Sequence, residues 1–191
     1  MKIKTLAESA IMIALATLLS VFTVYKLPFG GSVTLFSQLP IIIIAYRYGT
    51  KQGLFTGLVM GVLQLLLGAE NLSYVTGLLA VLILVFADYI VAFGVLGLSG
   101  VFRKRFKNPA LELSLGAAVT SFIRYICHII SGATIWKGYA PESTSALSYS
   151  IKYNASYMIP ELIVTVIGAA VIAFSFDLLS PEIKVRKRNK K

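Results

Sequence analysis

Apolar residues in this chain fall in long continuous runs that short polar segments separate. Continuous runs are typical of helices that cross a bilayer, whereas the strands of a membrane barrel would alternate apolar and polar residues. The runs predict six helices at residues 5–25, 35–49, 52–68, 75–102, 110–133 and 156–178. A helix needs about 20 residues to cross the hydrocarbon, so we expect the short second and third helices to pack inside the bundle or to meet at the turn Tyr48-Gly49-Thr50.

Composition supports the same interpretation. Hydrophobic residues make up 57% of the 191 residues and charged residues only 14%, whereas a soluble domain has roughly 25% charged residues. We therefore predict an all-α integral membrane protein with a single membrane domain over residues 1–191. Lys2 and Lys4 before the first apolar run resemble a secretory signal, but the run continues to about Val24 without a small-residue cleavage site, so it is expected to remain as the first span.

The net charge of +10 is distributed as in a membrane protein rather than a nucleic-acid-binding protein. If the N-terminus is cytoplasmic, most basic residues fall on the cytoplasmic side: residues 2–4, 47–51, 103–107 and the tail at 181–191. The external segments then hold only Lys26, Lys137 and Lys152. Six spans with both termini in the cytoplasm satisfy this asymmetry. Anionic lipid explains the basic tail better than nucleic acid or phosphoinositide recognition does.

Small residues predict where helices approach each other closely. Gly53, Gly57 and Gly61 form a GxxxGxxxG ridge, which we expect to pack within the bundle. Ala10 and Ala14 form an AxxxA step in the first helix. Two interpretations of this step remain open, internal packing and a docking face for another membrane subunit.

The segment between the first two helices, KLPFGGSVTLFSQLP, contains Pro28 and the pair Gly30-Gly31. These residues predict a bent, mobile connection on the outer side that is long enough to cover the mouth of a pocket. Phe29 is either a lid residue or an interfacial anchor.

Ionisable residues inside a span are costly and need a partner or a function. Asp88 and Arg124 could neutralise each other as a structural pair, or Asp88 could bind a ligand while Arg124 ties its helix to its neighbours. His128 lies one turn after Arg124 on the same helix face, and it is either a packing residue or a functional one. Glu161, behind Pro160, has no assigned role.

Aromatic residues are concentrated after the fifth predicted helix. Trp136, Tyr139, Tyr149 and Tyr153 fall in one predicted connection beside Asn154. An aromatic belt at the membrane boundary would scatter such residues over several helix ends, so the concentration favours a cage. Aromatic faces attract cations and stack on heteroaromatic rings. The pattern therefore predicts a pocket for a flat, cationic, hydrogen-bonding molecule.

Three sequence blocks carry a resemblance to a known family. They are PFGGSVTL, ADYIVAFGVLGLSGVF, and RYICHIISGATIW followed by SYSIKYN. With them the chain resembles the thiamine-specific S components (ThiT type) of energy-coupling factor transporters. The resemblance implies that His128 and Trp136 sandwich a thiamine ring. It also implies that Asp88, Tyr149 and Asn154 make polar contacts, with Tyr89 and Gly132 beside the ligand.

The same resemblance implies partners. Ala10 and Ala14 would contact a transmembrane coupling subunit, and two ATP-binding subunits would supply the energy, because the chain has no GxxxxGK[ST] phosphate loop. A bacterial plasma-membrane protein without catalytic residues, metal or cofactor is expected. The alternatives are an S component for pyridoxine or riboflavin, a small intramembrane enzyme and a passive channel.

Overall fold

Seven α-helical segments dominate residues 3–186, the part of the chain that this computed structural model describes. They are α1 (Ile3–Val21), α2 (Leu39–Tyr48), α3 (Thr50–Leu67), α4 (Leu78–Ile83), α5 (Ala92–Gly94), α6 (Pro109–Thr134) and α7 (Ala146–Ser175). Five helical stretches of the described chain are long and apolar enough to cross a membrane, namely α1, α3, Leu78–Phe102, α6 and α7, while α2 is shorter. The all-α membrane prediction is confirmed, whereas six crossings and cytoplasmic termini stay predictions. The predictions for Lys2 and for residues 187–191 lie outside the described residues.

The fourth stretch, Leu78–Phe102, is a helix that changes its hydrogen-bonding pattern along its length, and we call it the interrupted helix. Between α4 and α5 it forms a π-helical turn at Leu84–Val91, and after α5 it continues as a 3₁₀ helix at Val95–Phe102. Single π-helical turns are rare and occur often at functional sites. This one carries two of the predicted site residues, Asp88 and Tyr89.

The glycine ridge of α3 packs on the interrupted helix, as predicted. A Cβ added at Gly57 would lie 2.5 Å from the carbonyl oxygen of Phe93, and one at Gly61 would lie 2.8 Å from that of Tyr89. A Cβ at Gly97 would lie 2.1 Å from the backbone nitrogen of Leu54. Only glycine allows the two backbones to approach this closely, which is how helices associate in lipid.

The last helix begins earlier than its apolar run predicts. It starts at Ala146 rather than at residue 156, so Tyr149, Tyr153 and Asn154 lie on α7 and not in a loop. Ser145 caps this helix, because its side chain accepts a hydrogen bond from a backbone N–H of the first turn. The first turns of α7 were missed because they carry many polar side chains and therefore lack a continuous apolar run.

A β-hairpin connects α1 to α2, where we predicted a bent and mobile connection. Strands β1 (Thr23–Lys26) and β2 (Ser32–Thr34) pair antiparallel, with Lys26 opposite Ser32. The bend is present, since Gly30 has a φ of +91° that favours glycine. The lid prediction for the Phe29 side chain lies outside what the structure describes.

Two side chains of α7 hold this hairpin. The Tyr153 hydroxyl accepts a hydrogen bond from the Gly31 backbone N–H at 3.2 Å and donates one to the Pro28 carbonyl oxygen. The buried Glu161 carboxylate accepts hydrogen bonds from the backbone N–H and the hydroxyl of Thr34, both at 2.6 Å. Glu161, which had no assigned role, therefore anchors the base of the hairpin.

At the other end of the bundle, Arg47 is buried and paired, although the sequence analysis used it only as a basic residue that indicates the cytoplasmic side. Its Nε lies 3.0 Å from Glu8 Oε2, and its guanidinium also donates to the carbonyl oxygen of Leu178. Nearby, the Tyr46 hydroxyl donates to the buried Glu112 carboxylate at 2.6 Å. A short strand pair, β3 (Phe176–Asp177) with β4 (Lys184–Val185), follows α7 at this end.

Helix α1 leaves most of its surface uncovered. Ser9, Ile13 and Ala16 face the bundle, whereas Ala10 and Ala14 are exposed. Of the two interpretations of the AxxxA step, internal packing is therefore wrong for this chain. Its small residues remain available for another membrane surface.

Candidate ligand-binding site

A cavity of about 470 Å³ lies at the hairpin end of the bundle. Its wall combines the hairpin, the end of α3, the interrupted helix, α6 and α7. The seven residues that the sequence proposes for ligand binding all line it: Asp88, Tyr89, His128, Gly132, Trp136, Tyr149 and Asn154. Residues that are up to 66 positions apart in the sequence, 154 minus 88, therefore meet around one space.

The Asp88 carboxylate is held by α6. Its Oδ1 lies 2.9 Å from Nδ1 of His128, and its Oδ2 accepts a hydrogen bond from the Ser131 hydroxyl at 2.5 Å. No described contact joins Asp88 to Arg124 as an ion pair, so the structural-pair alternative for these two residues is wrong. A carboxylate can only accept, which places a hydrogen on His128 Nδ1.

His128 has one ring nitrogen that is not used by the protein. Its side chain is 10% exposed, and among residues 3–186 its buried Nε2 has no hydrogen-bond partner. Because Nδ1 carries the hydrogen, Nε2 of the neutral ring is an acceptor. Buried polar atoms are nearly always satisfied, so an unpaired acceptor beside a cavity is a natural contact for a donor group of a ligand.

The Tyr89 hydroxyl is used in building the wall. It accepts a hydrogen bond from the Asn71 amide at 2.8 Å and donates one to the Gly68 carbonyl oxygen at 3.2 Å. These contacts tie the interrupted helix to a 3₁₀ segment at Ala69–Tyr74 that follows α3. Tyr89 therefore shapes the cavity with its hydroxyl group already satisfied.

Asn154 and Gly132 fix the contact between α6 and α7. The Asn154 amide nitrogen donates to the carbonyl oxygens of Ser150 at 2.9 Å and of His128 at 3.2 Å. Its oxygen accepts from the Tyr157 hydroxyl at 2.6 Å. A Cβ added at Gly132 would lie 2.2 Å from Ser150 Oγ, so any larger residue there would separate the helices. The Asn154 side chain thus fixes the backbone at His128.

Aromatic rings gather in two groups around the cavity. The Trp136 ring lies 5.7 Å from the Tyr139 ring and 6.0 Å from the Tyr74 ring. On α7 the Tyr149 and Tyr153 rings stack at 6.1 Å with 25° between their planes. Because members of both groups line one cavity, the structure favours the cage over a membrane-interface belt.

Sequence reasoning missed several cavity-lining or supporting residues. Ser131 follows His128 by three positions on α6, a spacing that places both on one helix face and could have identified it. Tyr157 follows Asn154 by three positions on α7, which is the same spacing signal, whereas Asn71 and Ser150 gave none because their partners are distant in the sequence. Conversely, Lys137 and Lys152, which the sequence suggested as charged neighbours of a ligand, are exposed outside the cavity lining.

Comparison with known proteins identifies similar chains. The family model described as "Thiamine transporter protein (Thia_YuaJ)" matches residues 6–179. The chain is 36% identical over 173 residues to the thiamine transporter ThiT of Bacillus subtilis (strain 168), covering 85% of this chain and 86% of that one. It is 26% identical over 168 residues to the ThiT of Lacticaseibacillus paracasei, covering 81% and 78%.

The fold is also similar to a solved structure of ThiT from Listeria monocytogenes. The TM-score is 0.72 and the sequence identity is 25%. The similarity covers 88% of this chain and 92% of the Listeria chain. The likeness therefore extends over the whole bundle and is not limited to one pair of helices.

Proposed function

This chain belongs to the thiamine transporter family, and we propose that it is the S component of an energy-coupling factor importer, which binds thiamine from outside the cell. It is a bacterial membrane protein and a transporter, so the intramembrane-enzyme alternative is wrong. Delivery through an ATP-driven coupling module is the finer part of the proposal.

The convergence of the seven proposed residues on one cavity carries the binding proposal. Thiamine joins a cationic thiazolium ring to a neutral aminopyrimidine ring. Aromatic faces such as that of Trp136 attract the cation, with a contribution of about 0.5–2 kcal/mol for each ring. The acceptor Nε2 of His128 and the carboxylate of Asp88 suit the exocyclic amino group of the pyrimidine.

The single tryptophan allows a direct test of binding. Thiamine is added to the purified protein in detergent while Trp136 fluorescence is recorded, with calorimetry as a second measurement. We expect saturable quenching with a dissociation constant in the nanomolar range, which corresponds to about 12 kcal/mol. Pyridoxine and riboflavin serve as competitors. If either of them binds and thiamine does not, the protein is an S component for another vitamin.

Helix α1 supports the coupling part of the proposal. Ala10 and Ala14 are exposed, and small residues on a lipid-facing helix allow a second helix to approach closely. A transmembrane coupling subunit with two ATP-binding subunits would provide that helix and the energy for release. We expect Ala14→Trp to abolish copurification with the coupling module while thiamine binding persists. Val171→Trp, at an exposed position of α7, is the matched control.

A copurification experiment separates the two parts of this proposal. If Ala14→Trp retains the coupling subunit as well as the Val171→Trp control does, the docking face lies elsewhere. If Ala14→Trp loses thiamine binding as well, the residue acts on the fold of α1. In either case the assignment of α1 as the docking helix fails, while the thiamine assignment is judged by the titration alone.

A further inference from the structure

The connection between the interrupted helix and α6 carries four basic side chains within six residues. These residues, 103–108, are called the basic loop; they include Arg103, Lys104, Arg105 and Lys107 and contain no acidic residue. The side chains of Lys104, Arg105 and Lys107 are exposed. Within residues 3–186 none of the four forms an ion pair, and the buried Nε of Arg103 has no hydrogen-bond partner.

The acidic side chains of α1 and α6 at this end of the bundle are used inside the protein. The Glu112 carboxylate accepts a hydrogen bond from the Tyr46 hydroxyl at 2.6 Å and one from the Phe106 backbone N–H at 2.8 Å. Glu8 Oε2 lies 3.0 Å from Nε of Arg47. These two carboxylates therefore do not neutralise the basic loop, and its charge is left for a partner outside the chain.

The basic loop has a defined shape, because the protein holds its backbone. The hydrogen bond from the Phe106 N–H to Glu112 ties its middle to α6. The Arg103 N–H donates to the Gly100 carbonyl oxygen at 3.2 Å, and Lys104 has a φ of +58°, so the chain turns sharply after the interrupted helix. The loop thus presents the 45% exposed Phe106 side chain with basic residues on both sides of it.

The length of the basic loop indicates where its partner lies. It joins Leu78–Phe102 to α6, and both of these stretches are long and apolar enough to cross a membrane. Six residues span at most about 20 Å and must return to the next helix, so the loop stays at the membrane boundary. Phosphate groups of lipids lie at that level, and an exposed aromatic ring beside basic residues is typical of segments that bind at the interface. A soluble acidic protein would match the charge but not the apolar ring.

We propose that the basic loop is a binding site for the headgroups of anionic phospholipids. The side chains of Arg103, Lys104, Arg105 and Lys107 contact lipid phosphates, and the guanidinium groups can do so with two parallel hydrogen bonds. The ring of Phe106 enters the apolar layer beneath the phosphates. The proposal does not depend on the identity of the transported ligand, because the loop lies at the end of the bundle opposite the cavity.

A tryptophan placed in the loop can report which lipid is next to it. Phe106→Trp, combined with Trp136→Phe, leaves one tryptophan in the chain. This reporter protein is reconstituted in phosphatidylcholine vesicles with increasing fractions of brominated phosphatidylglycerol, whose bromine atoms quench tryptophan fluorescence. We expect phosphatidylglycerol to be preferred by at least about tenfold at low salt. The preference should fall as salt is added, because exposed charges are screened.

Two charge variants of the reporter protein separate the loop from the net charge. Lys104→Gln with Lys107→Gln should reduce the preference by at least about fivefold, the contribution of one basic side chain near an anionic surface. Lys137→Gln with Lys152→Gln is the matched control, since it removes the same two charges from exposed positions outside the loop. The control should keep the preference. Equal losses in the two variants, or equal affinity of the reporter protein for the two lipids, would overturn the proposal.

A second measurement covers the case in which the reporter protein does not fold. Native mass spectrometry of the unmodified chain should show retained phosphatidylglycerol, and Lys104→Gln with Lys107→Gln should lose it; no difference between them would contradict the proposal. If these substitutions instead remove a copurifying acidic protein while lipid retention is unchanged, the loop binds protein and the lipid assignment is wrong. Thiamine titrations should give the same affinity with and without the loop substitutions, so failure of the lipid proposal leaves the proposed function to its own test.

Discussion

The two ends of this bundle both bury ionised side chains, but they satisfy them differently. At the end with α2, Arg47 has the Glu8 carboxylate and backbone carbonyl oxygens as partners, and Glu112 accepts from Tyr46 and from a backbone N–H. At the hairpin end, His128 Nε2 and the Arg124 guanidinium lack hydrogen-bond partners among the described residues. Apart from Arg103 Nε, which is buried without a hydrogen-bond partner, the ionised groups named at the first end are satisfied by the protein, whereas the unpaired groups of the second end line a cavity that a ligand can enter.

The largest effect should be a loss of stability after substitution of Arg47, at the end of the bundle where the buried ion pair lies. Arg47→Met would leave the Glu8 carboxylate without its partner and remove the link to the C-terminal segment. Loss of one member of a buried pair costs about 3–5 kcal/mol, and we expect a value near the lower limit because Glu8 is partly exposed. Thermal unfolding in detergent measures the change. Thiamine affinity of the folded fraction should stay as it was, and a selective loss of affinity would contradict the comparison.

Asp88→Asn should weaken thiamine binding and change the stability of the protein little, whereas Arg47→Met should do the reverse. An amide cannot replace the carboxylate as acceptor for both His128 and Ser131, so the imidazole loses its fixed orientation. We expect thiamine binding to weaken by at least about tenfold, the effect of losing a charge-assisted hydrogen bond, with a small change in unfolding temperature. Calorimetric titration is the measurement. Glu112→Gln is the matched control, a carboxylate at the other end that should affect stability alone.

The sequence was informative about the chemistry of the site and less so about its backbone. Asp88 and His128 could be found because ionisable residues stand out in apolar runs, and Tyr149 and Asn154 because they fall in the aromatic concentration, whereas the family resemblance added Gly132. The π-helical turn that carries Asp88 could not be predicted, because no local residue pattern specifies it and it lies where the interrupted helix meets Gly61 of α3. Such a contact depends on residues far apart in the chain.

The start of α7 illustrates a second limit. A hydropathy pattern finds a span by its apolar run, whereas residues 146–155 alternate between a cavity-facing polar side and an apolar side. The prediction therefore placed Tyr149, Tyr153 and Asn154 in a loop. A loop would leave these residues loosely held, but the helix fixes the spacing by which Asn154 reaches the His128 carbonyl oxygen. Ligand-facing stretches of membrane helices are the ones that hydropathy identifies least well.

Substitution of Ser131, which donates a hydrogen bond to Asp88 but does not line the cavity, tests how far thiamine binding depends on residues behind the cavity wall. Ser131→Ala removes one donor to Asp88 but keeps the Asp88–His128 contact. We expect thiamine affinity to fall by about fivefold, the effect of one net hydrogen bond. Because the chain has a single histidine, ¹⁵N-labelled histidine reports His128 alone by NMR. The Nδ1–H form should persist, with faster exchange of that hydrogen.

The control for this experiment is Thr134→Val. The Thr134 hydroxyl donates to the carbonyl oxygens of Ile130 and Ser131, both in its own helix, so its loss should change neither the affinity nor the histidine spectrum. If Ser131→Ala shifts the histidine to the Nε2–H form, the Asp88 contact alone does not set the tautomer, and Ser131 has a larger role than the geometry indicates.

The smallest effect is expected at the hairpin, which is anchored twice. Tyr153→Phe removes the contacts with Gly31 and Pro28, but the Glu161 anchor at Thr34 remains. The hairpin should therefore stay in place and open more often, so thiamine should dissociate about twofold to threefold faster, the lower end of the range for a lost hydrogen bond, because the second anchor remains. Stopped-flow fluorescence of Trp136 measures that rate.

A matched variant separates opening of the hairpin from loosening of the helices. Tyr125→Phe also removes a tyrosine hydrogen bond to the backbone, but that bond joins α6 to Ile151 of α7 and lies outside the cavity lining. It should leave the dissociation rate unchanged. Hydrogen exchange at the Gly31 amide should rise with Tyr153→Phe and not with Tyr125→Phe. If both variants release thiamine equally fast, the α6–α7 contact rather than the hairpin controls the dissociation rate.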